Sequence, residues 1–157
     1  RVDNIHNRLI GVREDHSSGA SEPDNAIVAL DISKNQADQV LITGNDFYST
    51  PRISPDCSSL AWLTWNHPNL PWDGTELWVG EIQSDGSIGE RLKVAGVLSE
   101  SIFQPEWSPD GVLYFVSDKS EWWNFYRYRQ EHIEPVCPRD CEFGRPQWLF
   151  SMSTYGF

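Results

Sequence analysis

Apolar residues recur in short runs bounded by polar, turn-forming residues. One group reads Leu9-Ile10-Gly11-Val12, Leu60-Ala61-Trp62-Leu63 and Leu113-Tyr114-Phe115-Val116. A second reads Ala26-Ile27-Val28-Ala29-Leu30-Asp31-Ile32, Glu76-Leu77-Trp78-Val79-Gly80-Glu81-Ile82 and Asn124-Phe125-Tyr126-Arg127-Tyr128-Arg129. A third reads Val40-Leu41-Ile42-Thr43-Gly44, Leu92-Lys93-Val94-Ala95-Gly96 and Ile133-Glu134-Pro135-Val136-Cys137. Their β-branched and aromatic content predicts strands. Asp73-Gly74, Asp85-Gly86 and Asp110-Gly111 supply the positive φ that tight turns require. No segment keeps a 3.6-residue period with caps, so no long helix is expected. Pro135 cannot donate a ladder hydrogen bond, which places its strand at a sheet edge.

These groups sit inside a repeat. Thr50-Pro51-Arg52-Ile53-Ser54-Pro55-Asp56-Cys57 returns as Gln104-Pro105-Glu106-Trp107-Ser108-Pro109-Asp110-Gly111, and Arg145-Pro146-Gln147-Trp148 begins a third copy. Four short strands per roughly 40–50 residues are the mark of propeller blades. The expected fold is all-β: a β-propeller fragment of about three four-stranded antiparallel blades. Residues 1–157 read as a single partial propeller region with blade boundaries near 50, 104 and 145. The first blade is expected to enter at its second strand, and a further one to open at Arg145. A closed ring needs about 4–8 blades, so this chain cannot close one alone. Its two open end faces predict self-association. The Ser and Asp of the turns should bond local backbone, and Trp107 and Trp148 should pack between blades.

Composition narrows the partners. The 157 residues carry 12 Lys+Arg against 23 Asp+Glu, a net charge of −11. That balance argues against a nucleic-acid surface, which needs clustered cations. It permits a cationic partner such as a peptide ammonium. No apolar run approaches the roughly 20 residues of a membrane span, and no basic-then-apolar leader opens the chain. No membrane partner is expected. The start at Arg1 and the apolar close suggest a fragment. Three cysteines, Cys57, Cys137 and Cys141, cannot all pair, which favours a reducing compartment and a cytoplasmic location. Cys137 and Cys141 near His132 lack the spacing and number of ligands of a structural zinc site. No metal and no cofactor are expected.

The Trp-Ser-Pro-Asp-Gly repeats resemble the blades of Tol-type and prolyl oligopeptidase propellers, which are WD40-like in layout. The stretch from Ser54 to Trp78, with Ser101 to Gly111 and Leu113 to Asp118, resembles bacterial serine peptidases of the prolyl oligopeptidase family, of the dipeptidyl or acylaminoacyl peptidase type. Cys57 replaces the Gly expected in the first Pro-Asp-Gly turn. The resemblance implies an N-terminal propeller over a C-terminal α/β-hydrolase domain, whose Ser-Asp-His triad places the Ser in Gly-x-Ser-x-Gly. This chain contains no Gly-x-Ser-x-Gly. No catalytic residue is therefore expected within it, and the hydrolase domain lies outside it. The implied function is the non-catalytic propeller part of a peptidase, gating and orienting peptides for that domain, with the peptide and the hydrolase domain as partners. The alternative is a stand-alone Tol-type propeller that binds proteins or peptides. A carbohydrate-active propeller using paired carboxylates ranks last.

Strand parity puts the second-to-third-strand loops and the connections between blades on one face. That face is expected to be aromatic and acidic, suiting a peptide amino terminus or an interdomain contact. The candidate contact residues are His67, Asn69, Trp72, Asp73, Trp122 and Trp123. The prolines of His67-Pro68-Asn69-Leu70-Pro71-Trp72-Asp73 should stiffen their loop. Trp122 and Trp123 should point to opposite sides, so that at most one is core.

Overall fold

The computed structural model describes residues 1–157 apart from 32 and 34–36. Twelve strands form three four-stranded antiparallel sheets among these residues. The first sheet runs in order β1 (Val2–Asp3), β2 (Arg8–Asp15), β3 (Asp24–Asp31) and β4 (Gln39–Ile42). The second holds β5 (Phe47–Ile53), β6 (Ser59–Trp65), β7 (Glu76–Ile82) and β8 (Ile88–Ala95). The third holds β9 (Ile102–Trp107), β10 (Leu113–Ser117), β11 (Asn124–Arg129) and β12 (His132–Pro135). The fold is thus the all-β propeller fragment that the repeats predict. Pro135 sits in an edge strand.

Two apolar layers hold the sheets together. Ile10, Ile27, Ala29 and Leu41 of the first sheet meet Tyr48, Leu60 and Trp62 of the second. Ala61, Leu63 and Leu77 of the second meet Leu113, Phe115 and Tyr126 of the third. Strand β6 therefore feeds both layers, with alternate residues turned to opposite faces. This explains its unbroken apolar run: a strand covered on both sides has no polar face to show. Burying each of these large side chains contributes about 1.5–3 kcal/mol.

The turns behave as the sequence suggests. Ser54 Oγ donates to Asp56 Oδ1 at 2.6 Å, and Ser108 Oγ to Asp110 Oδ1 at 2.6 Å. These hydroxyls hold both carboxyls below the ordinary carboxylate value. Cys57 (φ 57°) takes the same left-handed conformation as Gly111 (φ 79°), so the turn survives the loss of its glycine at the cost of some backbone strain. Gly74 differs from the expectation, because its φ is not positive. It is needed for space: a Cβ there would collide with the Leu98 carbonyl and the Asn69 side chain.

Two further expectations are corrected. The first sheet is complete, since Val2–Asp3 supplies a first strand. Two residues are too short to carry a readable period, and buried Asp3 anchors them by accepting from Arg8 Nε at 2.8 Å and His6 N at 3.1 Å. Burial pushes the Asp3 carboxyl up, but these bonds outweigh it and hold it below the ordinary value. The segment from Arg145 onward, by contrast, forms no strand among the described residues. A strand needs a ladder partner, and this segment pairs with none. It folds back instead over the outer face of the third sheet. Phe125 packs against Phe143 (4.8 Å between centroids) and Tyr155 (5.0 Å), and Tyr114 against Phe157 (5.0 Å). Gly144 lies so close to Trp123 and Val116 that a Cβ would collide. Trp148 is consequently 69% exposed, whereas Trp107 does sit between sheets and donates Nε1 to the Arg52 carbonyl at 3.0 Å. Among the described residues, the first sheet's end face stays open. There Val2, Leu9 and Leu30 form an exposed row in register across β1, β2 and β3.

Candidate functional site

The β6–β7 loop holds four of the six candidate residues. His67 donates its backbone N–H to Asp46 Oδ2 at 2.9 Å, its Nδ1 lies 3.2 Å from the same oxygen, and its ring tilts against Phe47. These bonds hold the Asp46 carboxyl below its ordinary value. Asn69 Nδ2 donates to the Leu98 carbonyl at 3.2 Å. Asp73 Oδ2 accepts from Leu70 N at 2.9 Å, a local turn contact. The Trp72 ring lies tilted against Trp148, 4.4 Å between centroids.

The six residues do not converge. His67 and Asn69 line a hollow of about 100 Å³ with Trp65, Val97 and Leu98. Trp72 lines a separate apolar hollow of about 330 Å³ with Trp65, Pro71, Trp148 and Phe150. Trp122 and Trp123 lie in the β10–β11 loop of the third sheet and line neither. Trp122 is exposed, while the half-buried Trp123 packs on Phe103 at 5.9 Å. The rings thus divide, one to solvent and one against Phe103. Nearby, Glu100 is buried and accepts from Ser117 Oγ at 2.6 Å and from Gly96 N at 3.1 Å. Burial, with Glu100 and Glu142 adding repulsion, pushes the Asp118 carboxyl up although Ser101 N donates to it.

Among the described residues no group of three or more His, Cys, Asp or Glu is placed to hold a metal ion. The histidine ring nitrogens face Asp3, Glu14, Asp46 and the Gln130 carbonyl, none of them a nucleophile's hydroxyl.

A further hollow lies elsewhere, on the inner wall. Its volume is about 500 Å³, and its lining includes Arg1, Thr50, Arg52, Glu106 and Ser153. Ladder registers pair Val2 with Leu9, Ile53 with Leu60 and Trp107 with Leu113. Arg1, Arg52 and Glu106 each precede the first member of one such pair, so they hold one repeated position in three blades. Glu106 Oε2 accepts from Arg52 Nε at 2.9 Å and from Arg1 Nη2 at 3.2 Å. That second bond joins the first sheet to the third, which is possible only where the sheets converge on their axis. The position is aimed by a bulge: pairing slips by one residue between Ser49 and Arg52, and again opposite Tyr114 and Val116. Thr50 (φ 52°) and Gln104 (φ 48°) take left-handed conformations at those two points. Bulges of this kind re-aim the side chains that follow them. The only sequence signal of these residues is the variable place in Pro-x-Ile/Trp-Ser, which the repeat itself makes easy to pass over.

No protein-family model and no curated protein matches the chain. Solved structures do. A puromycin hydrolase, complexed with PGG, is 29% identical with a TM-score of 0.88, over 97% of this chain and 24% of that one. A puromycin-hydrolyzing peptidase of Mycobacterium tuberculosis is 31% identical with a TM-score of 0.82, over 94% of this chain and 24% of that one. An uncharacterized protein of Listeria monocytogenes EGD-e shares the fold alone, at 14% identity and a TM-score of 0.54 over 88% of this chain and 40% of that one. The chain spans about a quarter of the length of the two peptidases. In backbone as in its repeats, the chain resembles the N-terminal propeller region of a bacterial prolyl oligopeptidase-family serine peptidase.

Proposed function

We propose that this chain is the non-catalytic propeller part of a serine peptidase, which admits and orients peptides for a hydrolase domain encoded in the same reading frame. One observation carries the reading: nearly the whole chain superposes on a quarter of two peptidases at 29% and 31% identity. The loop around His67, Asn69, Trp72 and Asp73 and, apart from it, Trp122 and Trp123 offer aromatic surface to an incoming peptide or to that domain, on a chain whose net charge of −11 suits a cationic peptide end.

The test is the parent reading frame, expressed whole. A Gly-x-Ser-x-Gly between a strand and a helix downstream is the expected finding. A stop soon after a last blade overturns the reading and favours the stand-alone binding module. In the whole enzyme, Trp72→Ala is expected to lower kcat/KM for peptides of several residues about threefold or more, and to leave a single-residue chromogenic amide unchanged. Equal effects on both would contradict gating.

A further inference from the structure

We propose that the inner wall of the propeller carries a carboxylate-binding site centred on the Arg52 guanidinium. The molecule as a whole is strongly acidic, yet this wall sets two arginines against one glutamate and keeps a positive excess. Arg52 is held in place: its side chain is 13% exposed, Nε donates to Glu106 and Nη1 to the Pro51 carbonyl. Nη2 makes no hydrogen bond among the described residues. A fixed guanidinium with a free nitrogen presents the planar fork that a carboxylate matches, and low exposure limits the screening of that contact by water. Thr50, Ser151 and Ser153 line the same hollow; Thr50 Oγ1 donates to Ser49 Oγ and Ser153 Oγ to the Tyr155 carbonyl, which leaves the Ser151 hydroxyl to the ligand.

A volume of about 500 Å³ admits a short peptide as well as a small organic acid. The ligand class is therefore a carboxylate, from the carboxyl end of a peptide or from a small free acid. The peptide form rests on the peptidase reading above, and the carboxylate form does not. Glu106 has a regulating part here, because its negative charge sits against the same guanidinium and opposes that of the ligand. The acid meets the free Nη2 while Nε stays on Glu106, and no covalent bond forms or breaks.

Calorimetric titration of the full 157-residue chain at low salt tests this, with trialanine, trialanine amide and acetate as probes. Trialanine is expected to bind at least about tenfold tighter than its amide, and to weaken as salt rises. Arg52→Gln should remove that preference, Arg52→Lys should retain part of it, and Glu106→Gln should tighten binding about threefold. Melting curves of each variant confirm that it is folded, and Arg52→Lys keeps the test open if Arg52→Gln is not. Acetate binding assigns the site to small acids in general, while binding by trialanine without acetate assigns it to peptide ends. Equal affinity for acid and amide, binding by neither acid, or an unchanged preference in a folded Arg52→Gln overturns the proposal. N-acetyl-trialanine is a separate arm: weakened binding supports the peptide-amine reading of the loop face, and the acid–amide contrast is read independently of it.

Discussion

The β6–β7 loop and the bulged inner strands are opposites in how they spend their polar groups. In the loop, Asp73 turns back on Leu70 and Asn69 reaches only to Leu98 on the neighbouring connection. Along the inner strands the bonds are long-range. Glu106 joins Arg52 and Arg1, and Gln104 ties down the closing segment through Ser153 Oγ (3.0 Å), the Tyr155 carbonyl (2.6 Å) and Thr154 N (2.6 Å). The loop looks distinctive in sequence because turns demand particular residues. The inner strand looks bland because a bulge followed by proline fixes its backbone and leaves one place open to any side chain. Distinctive sequence here marks local geometry, whereas the variable place marks the surface that a ligand would meet.

The largest effect should come from the inner strand. Gln104 is 2% exposed, and Gln104→Ala removes the bonds to Thr154 N, Ser153 Oγ and the Tyr155 carbonyl, the last of which keeps Ser153 Oγ as a donor. A loss of about 2–3 kcal/mol is expected in chemical unfolding. Asn69→Ala, its counterpart in the loop, should cost no more than about 0.5 kcal/mol. Equal losses would erase the contrast. Next comes Glu106→Gln, expected to cost about 1 kcal/mol at low salt and visibly less at 1 M salt, since the pair is partly exposed and open to screening. Trp72→Ala follows, below about 1 kcal/mol, because its ring packs tilted against an exposed Trp148.

The smallest effect is one of pH. His67 holds the exposed Asp46 carboxyl low. A carboxyl lowered on folding stabilises the fold above its unfolded value, and that contribution is lost as pH falls through the folded one. The window therefore lies at and below the ordinary carboxylate range of about 4. An NMR titration should show the Asp46 midpoint rise toward the ordinary value in His67→Ala. The backbone N–H of residue 67 keeps its bond to Asp46 in the variant, so the rise should be partial, and an unmoved midpoint would detach the His67 ring from Asp46.

Strand order and sheet count were legible in the sequence because burial on two faces forces runs such as Leu60-Ala61-Trp62-Leu63, which no loop carries. The same logic failed at both ends. Val2–Asp3 is shorter than any period, and Arg145-Pro146-Gln147-Trp148 copies a strand motif but has no ladder partner in the structure. The candidate site was legible only residue by residue. Parity put Trp72 and Trp123 on one face, but no pattern along a chain reports distance across blades, so the separation of their hollows was hidden. Arg52 and Glu106 were hidden for a further reason: opposite charges at one repeated position break the repeat rather than announce it.

On the proposed function, this chain holds and presents peptide and makes or breaks no bond of its own. Progress curves of a chromogenic aminoacyl anilide at rising concentrations of the purified chain test it most directly. Flat curves at every concentration are predicted. Release of the chromophore in proportion to the chain, abolished by a serine-directed inhibitor, would contradict it.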